Sequence, residues 1–201
     1  MIRVLLAEDQ AMVRGALAAL LTLERDVTVV AEVARGDEVL ETALTSTPDV
    51  ILLDIELPGQ DGLTVLEELR RELPNARILI LTTFGRPGYL RRAMESGAAG
   101  FLLKDAPSRD LAVAIRRAMN GERVVDPGLA AAALSEGSSP LTEREEEVLS
   151  ISRSAATIAD IADQLFLSEG TVRNYLSSAI HKLGAQNRLE ATRIAEQKGW
   201  L

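Results

Sequence analysis

Short apolar runs alternate with longer segments of helical spacing through the first 120 residues. Residues 2–7, 28–33, 50–53, 77–81 and 100–103 are rich in Val, Ile and Leu and short enough to be strands buried on both faces. Between them, residues 10–23, 36–46, 62–73, 90–96 and 108–120 repeat apolar side chains at three- and four-residue intervals; Pro48, Pro74 and Gly97 mark helix ends. Five strands alternating with five helices predict an α/β fold with a doubly wound, five-stranded parallel sheet and its ligand site outside the carboxyl ends of the strands.

The residues at those ends are polar. The first run stops at Glu8-Asp9, the third at Asp54, the fourth at Thr82-Thr83 and the fifth at Lys104. A bare carboxylate at the tip of a buried strand is costly unless something pairs with it. Three carboxylates brought together cannot all stay ionised without a cation, and a hard oxygen site beside a lysine suits Mg²⁺ better than a softer metal. That combination activates a carboxylate to attack phosphorus, with Lys104 neutralising the transferred charge.

Beyond residue 120 the pattern changes. Residues 121–139 form a linker carrying Gly121, Pro127, Gly128 and the run Ser135-Glu136-Gly137-Ser138-Ser139, a composition that packs poorly, with a short helix at 130–134. Thr142 followed by Glu145 is a capping box, and the acids from Glu143 to Glu147 suit a helix start. Residues 158–165 form a second short helix, and Ser168 is positioned to cap a third. On that third helix Val172, Leu176, Ala179, Ile180 and Leu183 share one face, and Arg173, Asn174, Ser177, Ser178 and His181 share the other. This is a small all-α helix-turn-helix domain over 140–201 with a polar recognition face, for which double-stranded DNA is the expected partner.

Charge sharpens that picture. The net charge of -8 argues by itself against a nucleic-acid binder. From Pro140 onward, however, seven Lys+Arg stand against nine Asp+Glu, leaving fifteen against twenty-one in the first part; residues 170–201 hold five basic residues and two acidic ones. There is no cysteine, so disulfides and thiolate metal sites are excluded. The short N-terminal run is wrongly flanked for a signal peptide, and no apolar stretch approaches bilayer length, so a cytoplasmic protein without a membrane partner is expected.

Residues 1–120 resemble the receiver domain of bacterial two-component response regulators. The resemblance is carried by Glu8-Asp9, Asp54 with Pro58 and Gly62, Thr82, and Phe101 with Lys104. It implies that Asp54 accepts a phosphoryl group from a sensor histidine kinase. It further implies that Asp9 binds Mg²⁺ directly, Glu8 through water, and Glu56 through its backbone carbonyl, with Thr82 and Phe101 as the switch pair. Two departures are a Glu where Asp is commoner in the first position, and a proline that comes late in Lys104-Asp105-Ala106-Pro107.

Residues 140–201 resemble the four-helix DNA-binding domain of the NarL/FixJ (LuxR-type) family, through Leu141-Thr142-Glu143-Arg144-Glu145, Ile161-Ala162-Asp163-Gln164-Leu165, Thr171-Val172-Arg173, Lys182-Leu183 and Asn187-Arg188. The resemblance places Arg173, Asn174 and Ser177 toward the major groove and Lys182 near the DNA backbone, with Thr171 as a further DNA-binding residue. The departures are Ser154-Ala155-Ala156-Thr157-Ile158, where a glycine and Ser-Asn are usual, and Asp160 in place of Glu.

The expected function is a phosphorylation-controlled transcription factor and not an enzyme. Its alternatives are an atypical receiver that acts without phosphate and an Mg²⁺-dependent aspartyl-phosphate phosphatase. Finally, the first and fifth helices carry apolar residues beyond one inward stripe: Met12, Ala18 and Ala19, and Ala112, Val113 and Met119. A surface helix apolar all round calls for a partner, so a phosphorylation-dependent homodimer through these helices is expected.

Overall fold

The computed structural model describes residues 1–83, 85–105, 108–135, 139–153 and 157–201. Its elements are β1 (Ile2–Ala7), α1 (Ala11–Thr22), β2 (Val27–Val33), α2 (Gly36–Ser46), β3 (Val50–Leu53), α3 (Gly62–Glu72), β4 (Arg77–Thr82), α4 (Pro87–Glu95), β5 (Gly100–Leu103), α5 (Ser108–Met119), β6 (Val124–Val125), α6 (Pro127–Ser135), α7 (Glu143–Ile151), α8 (Ile158–Leu165), α9 (Glu169–Leu183) and α10 (Arg188–Gln197). Two compact units form. One holds Met1–Gly85 with Leu90–Ala131, the other Arg86–Tyr89 with Ala132–Leu201.

All strands of the first unit run parallel, in the order β2-β1-β3-β4-β5-β6. The chain steps outward from β1 to β2 and then returns to the other side of β1 for β3, so the topological switch point lies between β1 and β3. Every residue of β3 is buried, as a Val-Ile-Leu-Leu run without a polar position requires. One core cluster joins Leu21 of α1 to Leu111, Ala114, Ile115 and Ala118 of α5 across Val4, Leu52 and Leu79 of the sheet.

Among the described residues the sheet has six strands where the sequence pattern gives five. Val124 and Val125 pair with Gly100 and Phe101 of β5, inside the stretch read as linker. Two residues are too short to show alternation. What admits them is Gly100, where a Cβ would lie 2.5 Å from the Val124 carbonyl oxygen. The short helix expected at 130–134 is α6, which begins earlier, at Pro127, a proline well placed at a helix start. Residues 136–138 of that stretch, Ala106-Pro107 and Ser154-Ala155-Ala156 lie outside the described residues.

Two of the surplus alanines are not surplus. Ala112 is buried, and Ala18 packs partly against the core cluster. Met12, Val113 and Met119 are exposed, as is Ala19.

In the second unit Leu141, Val148, Leu149, Ile161, Ala162, Val172, Leu176, Ala179, Ala191 and Ala195 form one core. The helix starts are fixed locally. Thr142 with Glu145, and Thr157 with Asp160, form complete capping boxes; Ser168 caps α9 and Asn187 caps α10. Asp160 thus serves its cap with the shorter acid.

The α8–α9 turn is made by Phe166 at φ 55°. A bulky L-residue in the left-handed region costs about 1–2 kcal/mol, and this side chain is 95% exposed, so it recovers almost nothing by burial. Phe166→Asn is therefore expected to stabilise the chain by about 0.5–1 kcal/mol, because Asn tolerates that conformation. Urea unfolding followed through Trp200, which packs against the core of the same unit, measures it. An unchanged or lower midpoint would show that the strain is absent or offset.

Candidate functional site

Strand register brings the polar tips together. Ala7 pairs with Leu53, so Glu8 and Asp54 leave adjacent strands side by side, and the Asp54 N–H donates to the Ala7 carbonyl at 3.0 Å. Thr82 pairs with Leu103, and the Lys104 N–H donates to the Thr82 carbonyl at 2.9 Å. Glu8, Asp54 and Thr82 are buried, with Asp9 and Glu56 exposed at the mouth. Phe101 is fully buried on β5.

One carboxylate oxygen from each of Glu8, Asp9 and Asp54 lies within 4.8 Å of the others. Lys104 Nζ reaches into this cluster, donating to Asp54 Oδ2 at 2.8 Å and lying 2.6 Å from Glu8 Oε2. The directed bond goes to Asp54. Glu8 Oε2 is buried and accepts no hydrogen bond of good geometry among the described residues. Burial pushes the Glu8 carboxyl above its usual range; Lys104 counters this and the charge of Asp54 adds to it. For Lys104 burial pulls the other way, but the Asp54 and Glu8 carboxylates more than compensate, and the ammonium is held charged. The donor set therefore fits a small hard cation: three carboxylates converge, with Lys104 shared between Glu8 and Asp54.

The backbone that carries Asp54 onward is clamped by two glycines. A Cβ on Gly62 would sit 2.0 Å from the Asp54 carbonyl oxygen, and one on Gly36 would sit 1.8 Å from that of Gln60. The Gly36 N–H donates to Pro58 at 2.9 Å and the Gly62 N–H to Ile55 at 2.9 Å, which fixes the course of residues 54–62 past Glu56. Asp61 caps α3 by accepting from the N–H groups of Leu63 and Thr64.

Arg14 belongs to this site although its sequence position did not say so. Its Nη1 donates to the Glu8 carbonyl at 2.6 Å and lies 3.4 Å from that of Asp9, and its Nε stands 3.6 Å from Glu32. It fixes the turn that presents both acids. The available signal was that Arg14 is the only charge on an otherwise apolar helix.

On α9 of the second unit, Arg173, Asn174 and Ser177 are exposed. Thr171 is half-buried, and its N–H donates to the Ser168 cap at 3.1 Å. Arg173 donates to Glu169 one turn earlier at 2.8 Å, an exposed pair worth a few tenths of a kcal/mol and readily exchanged for another acceptor. Lys182 makes a contact within the domain. Its Nζ is bound to Glu145 Oε2 at 2.6 Å, and Ser178 donates to Glu145 Oε1 at 2.6 Å. Burial pushes the Glu145 carboxyl up, but Lys182, Ser178 and the Thr142 cap together outweigh it and hold the group down at about 2. No helix among the described residues is long and apolar enough to cross a membrane.

Residues 4–116 match the family model of the response regulator receiver domain, and residues 139–195 that of the bacterial regulatory proteins of the luxR family. The chain belongs to the response regulators with a LuxR-type DNA-binding domain. The transcriptional regulatory protein YvfU of Bacillus subtilis (strain 168) is 49% identical to this response regulator over 201 residues, covering 100% of both chains. DesR of the same organism is 46% identical, covering 100% of this chain and 99% of its own. Among solved structures, the response regulator ChrA of a heme-sensing two-component system is 35% identical with a TM-score of 0.59, covering 100% of this chain and 98% of its own. The family is one of transcription regulators, and its receiver domains bind Mg²⁺ at an acidic pocket of this kind.

Proposed function

We propose that this cytoplasmic response regulator takes a phosphoryl group on Asp54 from a sensor histidine kinase, in the presence of Mg²⁺, and thereby dimerises and binds promoter DNA. The observation that carries the reading is the convergence of Glu8, Asp9 and Asp54 on one point with Lys104 Nζ 2.8 Å from Asp54. An Asp54 carboxylate oxygen forms the bond to phosphorus as the bond from phosphorus to the donor's imidazole nitrogen breaks, and the imidazole leaves with that electron pair. Lys104, already charged in the pocket, neutralises a phosphoryl oxygen. Glu8, Asp9, Asp54 and the Glu56 carbonyl are the groups that would hold Mg²⁺, which would supply charge neutralisation for the transferred phosphoryl group.

Thr82, buried at the tip of β4, and Phe101, buried on β5, are the side chains that read out the modification. The DNA contacts assigned to α9 are Thr171, Arg173, Asn174 and Ser177. Mass spectrometry with a small phosphodonor, with and without Mg²⁺, tests the first part: one phosphoryl group gained only with the cation is expected, and none under either condition would overturn it.

Arg173 tests the second part. A good side-chain contact to a base edge is worth about 1–3 kcal/mol, so Arg173→Ala should weaken operator binding by roughly tenfold or more at matched salt. Parental affinity of Arg173→Ala in a fluorescence anisotropy titration would remove α9 from the groove.

A further inference from the structure

We infer that Glu145 is a positioning residue for DNA recognition, tethering α9 through Ser178 and Lys182 so that the groove-facing side chains are held at a fixed rotation. The inference rests on the assignment of α9 to the major groove. Ser178 and Lys182 are four residues apart and lie one above the other on a single line of the helix. Each takes a different oxygen of the same carboxylate, at 2.6 Å and 2.6 Å, and Oε2 also accepts the Thr142 N–H at 2.7 Å. The Glu145 side chain is only 5% exposed and that of Lys182 33% exposed. Glu145 itself is fixed by the capping box that starts α7.

Two attachment points along one line resist both rolling and sliding of a helix. The apolar face, where Val172, Leu176 and Ala179 are buried and Tyr175, Ile180 and Leu183 pack against the same core, makes non-directional contacts, so it sets the rotation less sharply than two directed bonds do. A roll of about 20° at the radius of a helix with its side chains moves their tips by roughly 2 Å, enough to break the geometry of a hydrogen bond to a base edge. Arg173 and Ser177 share their own line one residue round from the tethered one, so the tether sets their direction directly.

This gives Lys182 a different role from the one expected of it. If its ammonium turned to a DNA phosphate, Glu145 would keep a buried charge without its partner. Lys182 is thus a structural counter-charge inside the domain, and Glu145 influences sequence discrimination without touching DNA.

The test compares binding to an operator fragment, selected from a random-sequence library by the parent chain, with binding to a random duplex over a range of salt. Lys182→Met, Glu145→Gln, the double variant and Arg173→Ala are measured together with melting temperature. Gln still serves the capping box, and the Gln–Met pair is neutral and of similar volume. Both single variants should lower the ratio of selected to random affinity roughly tenfold, the loss of one good base contact. The double variant should regain the parental melting temperature and keep the lowered ratio, because stability returns but the tether does not. Salt dependence on random duplex should stay parental for Lys182→Met, whereas a lost phosphate contact would reduce its slope by about one.

A reduced slope makes Lys182 a DNA contact and overturns the inference. A ratio that recovers in step with melting temperature makes Glu145 merely structural and also overturns it. Should the ratio stay parental in every Glu145 and Lys182 variant while Arg173→Ala loses it, the groove assignment stands and the tether fails. Should Arg173→Ala alone keep it, the groove assignment is what fails.

Discussion

Asp54→Asn is expected to gain no phosphoryl group under conditions where the parent gains one, and to fold at least as stably. Asn has the volume of Asp but no nucleophilic carboxylate, so the loss of chemistry is complete. The fold gains from the same change. Asp54 and Glu8 share Lys104, and the charge of Asp54 raises the pKa of Glu8. With Asn in place, Lys104 balances Glu8 alone, and one crowded carboxylate is gone. Asp9→Asn is the companion variant, because Asp9 is exposed at the mouth and takes no part in the Lys104 pairing. Partners one step removed from a bound metal are worth about 10–100-fold in affinity, so removing a direct ligand should weaken Mg²⁺ at least that much. Calorimetric titration with Mg²⁺ reads this without any phosphoryl transfer. A phosphorylated Asp54→Asn chain would move the acceptor elsewhere, and parental Mg²⁺ affinity in Asp9→Asn would remove that residue from the cation site.

The pocket was legible because a strand that is apolar to its last residue singles out the polar residue next in the chain. Ile51, Leu52 and Leu53 leave no doubt about burial, so Asp54 reads as a carboxylate delivered to an edge; the same logic gave Glu8, Thr82 and Lys104. Parallel connectivity then fixes that all these ends lie on one side of the sheet. The features that stayed hidden depend on partners distant in sequence. The Thr142–Glu145 pattern identified a cap, which is local, but nothing local shows that the same carboxylate is bound by Ser178 and Lys182 from another helix. β6 was hidden by brevity, since two valines carry no period, and it is held by the missing side chain of Gly100. Alanine is the third blind spot. Ala18 and Ala112 fit a buried or an exposed position equally well by helix propensity, and only packing decides.

The corrected surface sharpens the expectation that phosphorylation produces a dimer. With Ala18 and Ala112 assigned to the interior, the outer face of α1 still exposes Ala11, Met12, Gly15, Ala16 and Ala19 with Leu23 just beyond, without a charge among them. Met12 is 88% exposed, Leu23 78% and Val113 of α5 50%. Nothing lies within 4 Å of where a Cβ on Gly15 would be, so the face is open and shallow enough for another helix to approach closely. α1 and α5 are held as one surface: they share a core cluster, and Arg116 of α5 donates to Asp26 at 2.6 and 2.8 Å and to Glu24 at 2.6 Å just after α1. A two-fold axis through such a patch would pair α1 and α5 with their copies and offer two α9 helices to half-sites about one helical turn apart. Linking two binding modules raises affinity by about 10²–10⁴ without any new base contact. The double variant Met12→Asp, Val113→Asp places four like charges in the symmetric interface. It is expected to take phosphate normally, to sediment as a monomer where the phosphorylated parent is a dimer, and to bind a two-half-site operator at least roughly a hundredfold more weakly. Binding to a single half-site should be unchanged, because α9 is untouched. If the phosphorylated variant dimerises as readily as the parent, the α1–α5 face is not the interface, and the apolar surplus of α1 has another use.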